Sequence, residues 1–340
     1  MSTTSRLITI TLVCYAVAIL SGSNSATAQS GTPFALPPPV DAAEAYRISW
    51  YDYDAGLPLN ATLKPLDEKR TSVRYRLDYD SVHDQRVPAI VAIPKRFSPP
   101  YPAVLLVHGS GGSKDTSYIH AISDVLTAQG YATISIDTQY HGDRKRPGRS
   151  GEIHMPDSYA MRDAWVQTVI DLRRAADYLD ERQDIDHTRI GYVGFSQGGM
   201  LGSVLGGVEP RISAFCLAVP GGGLADIVKH LDDYPVLKAH WPVDITPAVM
   251  KTVEKVTNIT DPIYYVGRIS PRPLLILVAN EDEIIPPTAS TALIKAAHAL
   301  PEQVRHVESG HVLNPNELFP IRDFFVRCFG KRTPRQTAHK

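Results

Sequence analysis

The sequence predicts an α/β protein: a doubly wound, mostly parallel sheet with a small helical cap insertion. Three observations carry that prediction. Short apolar runs, such as Tyr101–Val107 and residues 273–279, read as strands covered on both faces. Amphipathic stretches of helical period alternate with them, as parallel crossovers require. One connection, from Gly221 to about Tyr265, is far longer than an ordinary loop. With 340 residues and 43% hydrophobic content, the chain is long enough to bury a large core.

In chain order, residues 29–45 are rich in Ala and Pro and are expected to be loosely ordered. Residues 72–79 and Arg86–Pro94 alternate in polarity and read as an antiparallel edge pair. The parallel part begins at residues 103–107. A helix over 118–129 is closed by Gly130, and residues 132–136 form the next strand. Residues 160–179 place Trp165, Val169, Leu172, Ala176 and Leu179 on one helical face. Strands follow at 188–193, 212–219, 274–279 and 303–307, with a closing helix over 320–329. Within 221–265, residues 226–231 and 247–256 have helical character, and Tyr234, Leu237 and Trp241 are candidates to line a pocket or to pack the cap onto the core. The expected domains are a leader over 1–28, an extension over 29–69, and a catalytic domain over 70–335.

Gly194-Phe195-Ser196-Gln197-Gly198 is a G-x-S-x-G sequence between an apolar strand and a small-residue helix start. A serine on such a sharp turn is held in a strained backbone with its hydroxyl exposed, and glycines avoid clashes across the turn. The helix start places N–H groups and a positive dipole end beside the serine oxygen. His108-Gly109-Ser110-Gly111-Gly112 follows another buried strand. Such a turn can supply one donor to a tetrahedral oxyanion, and the residue after the nucleophile the other. The expected donors are the N–H groups of Ser110 and Gln197. His108 lies upstream in this loop and is not expected to be the base; His108, Tyr140 and Trp241 are candidate substrate-pocket residues.

Asn280-Glu281-Asp282-Glu283 ends a strongly apolar strand, where a carboxylate can orient an imidazole. Asp282 is the candidate, with Glu281 and Glu283 as competitors. Ser309-Gly310-His311 follows a short strand, so His311 is free to swing toward Ser196; His306, inside that strand, is its rival. The order Ser196, Asp282, His311 is the order expected on this architecture.

Taken with the Asp137 to Arg144 segment, Arg272-Pro273-Leu274-Leu275-Ile276 and Gly310-His311, these motifs make the chain resemble the α/β-hydrolase superfamily. The likeness is to its dienelactone-hydrolase-like and acetylxylan-esterase-like group, over roughly residues 70–330. It implies the α/β-hydrolase fold and serine esterase chemistry on a small-molecule ester, with neither metal nor organic cofactor. The expected nucleophile is Ser196, where true dienelactone hydrolases carry Cys, a departure that speaks against dienelactone as substrate.

Composition narrows the remaining classes. A formal net charge of −1 and the lack of a basic stripe argue against nucleic acid. The cluster Arg144-Lys145-Arg146-Pro147-Gly148-Arg149 reads as a solvated loop or a rim attracting acidic substrates. Arg6, the apolar run 7–20 and Ala26-Thr27-Ala28 read as an export signal cleaved before Gln29, leaving no stable membrane span. The expected destination is the bacterial periplasm or the exterior. Cys216 and Cys328 read as free buried thiols, with a disulfide as the alternative. Oligomeric state is not legible in the sequence.

Overall fold

The computed structural model describes residues 34–146, 158–240 and 243–335. Nine strands form one sheet in the order β1-β2-β3-β5-β4-β6-β7-β8-β9: β1 (Thr62–Glu68), β2 (Ser72–Asp80), β3 (Arg86–Pro94), β4 (Tyr101–Val107), β5 (Ala132–Ile136), β6 (Ile185–Phe195), β7 (Ile212–Ala218), β8 (Leu274–Ala279) and β9 (Val304–Val307). β1 to β3 are antiparallel, β3 runs antiparallel to β5, and β5 to β9 are parallel. This is the α/β-hydrolase arrangement. Every residue of β4 and β5 is buried, so their continuous apolar pattern follows from cover on both faces.

Helices α2 (Ser117–Thr127) and α9 (Leu318–Phe329) close one face of the sheet. The other is closed by α3 (Ser158–Asp180), α4 (Gln197–Val208) and α8 (Pro287–Ala296). On α3 the five residues of the expected face are all buried. Between β7 and β8 the long insertion folds as α5 (Leu224–Lys229), α6 (Pro235–His240) and α7 (Pro247–Thr260), with a 3-10 turn between α5 and α6 and two more between α7 and β8. Its two ends meet at Asp261, whose buried carboxylate accepts the N–H groups of Gly223 (2.9 Å) and Leu224 (2.6 Å). Burial pushes that carboxyl above its usual range.

Several expectations are corrected. Ordered, packed residues extend on the amino-terminal side of residue 70. Helix α1 (Ala42–Ser49) precedes a fully buried Tyr51, whose hydroxyl donates to Ile259 O (2.9 Å). β1 then pairs with β2, so β2 and β3 are not the sheet edge. The basic cluster is not wholly solvated: Arg144 is buried, with an ion pair to Asp171 (2.6 Å). Arg149 and the leader lie outside the described residues. Cys216 and Cys328 are both free thiols, and burial raises each.

Candidate active site

Register brings the candidate residues to one end of the sheet. β4 and β6 are parallel neighbours with Val107 opposite Gly194, so the 108–112 loop lies beside the turn at Ser196. β8 and β9 are neighbours with Ala279 opposite Val307, so the loops carrying Asp282 and His311 emerge side by side. This is the carboxyl edge of a parallel sheet, where ligands bind in doubly wound folds.

Ser196 caps α4 with φ 52° and ψ −116°, a strained backbone for a residue with a side chain. Such conformations cost about 1–3 kcal/mol and persist only where the surroundings enforce them. Here the Ser196 N–H is held by Ala218 O (2.8 Å). A Cβ on Gly194 would lie 2.2 Å from Gly198 O, and one on Gly198 2.4 Å from Val107 O. Both glycines of the motif are therefore required by close backbone approach.

The Ser196 hydroxyl lies 2.9 Å from His311 Nε2. His311 Nδ1 lies 2.9 Å and 3.0 Å from the two Asp282 carboxylate oxygens. Asp282 Oδ1 also accepts the N–H groups of Ile284 (2.9 Å) and Ile285 (2.8 Å), which fixes the carboxylate against rotation. A carboxylate acceptor on Nδ1 selects the tautomer with a bare Nε2, the form able to take a proton from the serine. The rivals have other partners. Glu283 accepts the His311 backbone N–H (3.0 Å), which holds its carboxyl below the usual range, and His306 is exposed beside Asn280 Oδ1 (3.1 Å).

Ser110 and Gln197 both line the cavity into which Ser196 opens. Gln197 is the first residue of α4, whose leading N–H groups have no intrahelical acceptor. The Gly109 N–H is already used, donating to the Tyr118 hydroxyl (2.9 Å), and the Tyr118 ring packs edge-on against Phe195, 5.1 Å between centroids. Tyr118 thus ties the loop to the turn at Ser196. Sequence reasoning missed it, because it stands on α2 as an ordinary amphipathic residue.

His108 does not line the cavity. It is fully buried, with Nδ1 on Gly109 O (2.7 Å) and Nε2 accepting the Thr138 N–H (3.2 Å). Burial, with His141 beside it, pushes its ring down to about 4. It is a neutral brace between the loops after β4 and β5. Lys114 adds a second brace through Asp137, with Nζ at 2.7 Å and its backbone N–H at 2.8 Å. Tyr140 is half-buried and also stands apart from the cavity lining. Tyr234 faces Thr288 (3.2 Å between hydroxyls), Leu237 does line the cavity, and Trp241 lies outside the described residues.

The cavity measures about 1060 Å³ and carries Ser196 and His311 on its wall. Trp165 of α3 and residues of α5, α6 and α7 roof it, so the insertion stands over the serine. Among the described residues no group of acidic, His or Cys side chains is arranged to hold a metal. No helix among them is long and apolar enough to cross a membrane.

Comparison with known proteins bears on the family and the fold. The family model of acetyl xylan esterase (AXE1) matches residues 51–232, and that of the prolyl oligopeptidase family matches residues 157–331. YtaP of Bacillus subtilis (strain 168) is 26% identical over 247 residues, 67% of this chain and 76% of that protein. Acetyl esterase Axe7A of Xylanibacter ruminicola is 29% identical over 174 residues, 51% of this chain and 36% of its own length. Among solved structures, an acetyl xylan esterase from Paenibacillus sp. R4 superposes with a TM-score of 0.68 at 20% identity, covering 87% of this chain and 96% of that one. Each family model spans more than half of the sequence, and the AXE1 match starts within the stretch that supplies Tyr51 and β1. The chain belongs to the acetyl xylan esterase (AXE1) family, on an α/β-hydrolase fold whose second half also fits the prolyl oligopeptidase family.

Proposed function

We propose that this hydrolase cleaves carboxylic esters through an acyl-enzyme formed on Ser196. The observation that carries the reading is the unbroken hydrogen-bond relay from Ser196 Oγ through His311 to Asp282. His311 Nε2 takes the hydroxyl proton as Ser196 Oγ attacks the ester carbonyl. Asp282 holds the imidazole in its tautomer and stabilises the cation. The N–H groups of Ser110 and Gln197 receive the oxyanion. His311 then gives its proton to the departing alcohol, and a water activated by the same imidazole releases the acid.

The match to the prolyl oligopeptidase family favours a second reading, hydrolysis of short peptides. Cleavage after a free amino terminus calls for a carboxylate to hold the ammonium, and no Asp or Glu is among the described residues that line the cavity. A third reading, a binding protein without turnover, leaves the relay unexplained. A panel of p-nitrophenyl esters and aminoacyl anilides separates the three, run on the native enzyme and Ser196→Ala. Ester turnover abolished in Ser196→Ala is expected. Anilide turnover exceeding ester turnover, or none at all, overturns the reading.

Export is part of the same proposal, supported by Arg6, the apolar run and the Ala26-Thr27-Ala28 site. A mature amino terminus at Gln29 in the periplasmic or culture fraction is the expected result, and an intact Met1 there refutes it.

A further inference from the structure

The cavity is larger than an acetyl ester needs. Pockets that enclose ligands of drug size run to about 300–1,000 Å³, and this one is about 1060 Å³. An acetyl group would leave most of its wall uncovered, with apolar side chains facing water.

The wall is apolar on both sides of the serine. Toward the insertion it is formed by Met161, Trp165, Ile227, Leu237 and Val253, all part of or packed against the hydrophobic cluster on the α3 and α4 face. Toward the opposite face it is formed by Tyr118, Ala121, Leu313 and Leu318, which belong to the separate cluster of α2 and α9. Ser196, at the end of β6, stands between them. The cavity thus bridges the end of the sheet, with one apolar arm on each face. Among its described lining residues there is no Asp, Glu, Lys or Arg. A charged group carried into either arm would lose its hydration without gaining an ionic partner among these residues.

Resting on the esterase reading, we propose that the preferred substrates are uncharged esters apolar on both sides of the scissile bond. They join a medium-chain or aryl acyl group to an apolar alcohol. Acetyl groups on a polyhydroxylated sugar leave both arms poorly filled. The chemistry is the balanced hydrolysis given above: water is consumed, and a neutral alcohol and a carboxylic acid are released. The acid ionises on reaching water, where its charge is hydrated.

The test uses the full-length mature enzyme and three substrate sets. The first is p-nitrophenyl acetate, butanoate, hexanoate and octanoate. The second is hexanoate esters of methanol, hexanol and 1-naphthol. The third is the p-nitrophenyl hexanoate analogue bearing a terminal carboxylate, with an acetylated xylo-oligosaccharide as the sugar arm. Burying a methylene favours kcat/KM by about fourfold. The expected result is a rise of at least tenfold from acetate to hexanoate, a similar rise from the methyl to the hexyl ester, and a fall of at least a hundredfold for the carboxylate analogue. A preference for acetate, for the acetylated sugar or for the charged analogue overturns the proposal.

Met161, half-buried on α3, allows a charge to be placed in one arm without opening the core. Met161→Lys should lower at least tenfold the hexanoate-to-acetate ratio or the hexyl-to-methyl ratio, according to which group that arm takes. Unchanged ratios in both series overturn the proposal for that arm. The two levels of failure are distinct. Ser196-dependent cleavage that favours short or charged acyl groups defeats only this inference, whereas no Ser196-dependent ester cleavage defeats the esterase reading itself.

Discussion

Asp282→Asn is the most discriminating single substitution, because the structure dictates which way the new amide must face. Asp282 Oδ1 accepts the N–H groups of Ile284 and Ile285 at 2.9 and 2.8 Å, so the amide oxygen is retained at that position. The amide NH2 then occupies the Oδ2 position, 3.0 Å from His311 Nδ1. The retained oxygen, 2.9 Å from Nδ1, is already shared by two backbone N–H groups, so the amide NH2 beside it tips the imidazole toward the form that carries its proton on Nε2. That tautomer cannot take the Ser196 proton. The same substitution in a serine protease triad lowers kcat by roughly 10⁴, about 5 kcal/mol of transition-state stabilisation. A loss of that order is expected here, with folding intact because the substitution is isosteric and both backbone N–H groups keep their acceptor. Glu283→Gln is the internal control. Its oxygen still accepts the His311 N–H, now 3.0 Å from the carboxylate, so less than about a tenfold loss follows. The assay is steady-state turnover of p-nitrophenyl butanoate at pH 8, with circular dichroism as the folding check. A loss below tenfold for Asp282→Asn, or a crippling loss for Glu283→Gln, refutes the argument.

Ser196→Ala should lose at least about 10³-fold in kcat, and an organophosphonate should add one label, on Ser196, read by peptide mass; a label elsewhere with activity retained is contrary. Gly194→Ala should fail to yield soluble enzyme, since its Cβ would lie 2.2 Å from Gly198 O, and a normally active variant would contradict that close approach. His108 is neutral in the fold, with its ring lowered from 6.5 to about 4, so between those values the unfolded chain binds more protons. Stability from this group is then full above about 6.5 and falls as pH drops toward 4. Urea midpoints at pH 7 and 4.5 should show a steeper loss for the native enzyme than for His108→Gln, and equal slopes would remove His108 from the account. Asp261→Ala strands the Gly223 and Leu224 N–H groups, about 1–3 kcal/mol each, so hydrogen exchange across Leu224–Lys229 should quicken while Ser117–Thr127 is unchanged.

How much of this was legible in the sequence depends on how far each feature reaches along the chain. β4, β5 and β8 announce themselves because a strand covered on both faces must be apolar throughout, a local property. β1 conceals itself for the opposite reason. As the outermost strand it is almost wholly exposed, carries Lys64, Pro65 and Asp67, and has an irregularity between Pro65 and Asp67. Charge, proline and irregularity are how an edge strand resists pairing with another molecule, and they also remove the alternating pattern by which a strand is read. Only its ladder to β2 identifies it. α8 was missed because its buried face is marked by little more than Ala289, Ser290 and Leu293.

The candidate site divides in the same way. Ser196, Asp282 and His311 lie within three or four residues of strand ends, and parallel register converts that local position into convergence in space. Each can therefore be nominated from its own neighbourhood, and chain order supplies the rest. His108 shows where such nomination stops. Its sequence setting, the first residue of a glycine-rich turn, is equally compatible with a wall residue and with a brace. What decides is Thr138, thirty residues on, whose N–H takes up Nε2, and the approach of His141. The cavity is less local still, because its two arms are assembled from helices on opposite faces of the sheet and no single amphipathic pattern encodes the space between them. Chemistry at the ends of strands is thus readable before the fold is known. On the proposed reading, the choice of substrate rests on the packing of α2 and α9 against one side of that chemistry and of α3 and the insertion against the other. A relative with the same relay can shift its preferred ester by changing Trp165, Val253 or Leu318 while every motif residue stays the same.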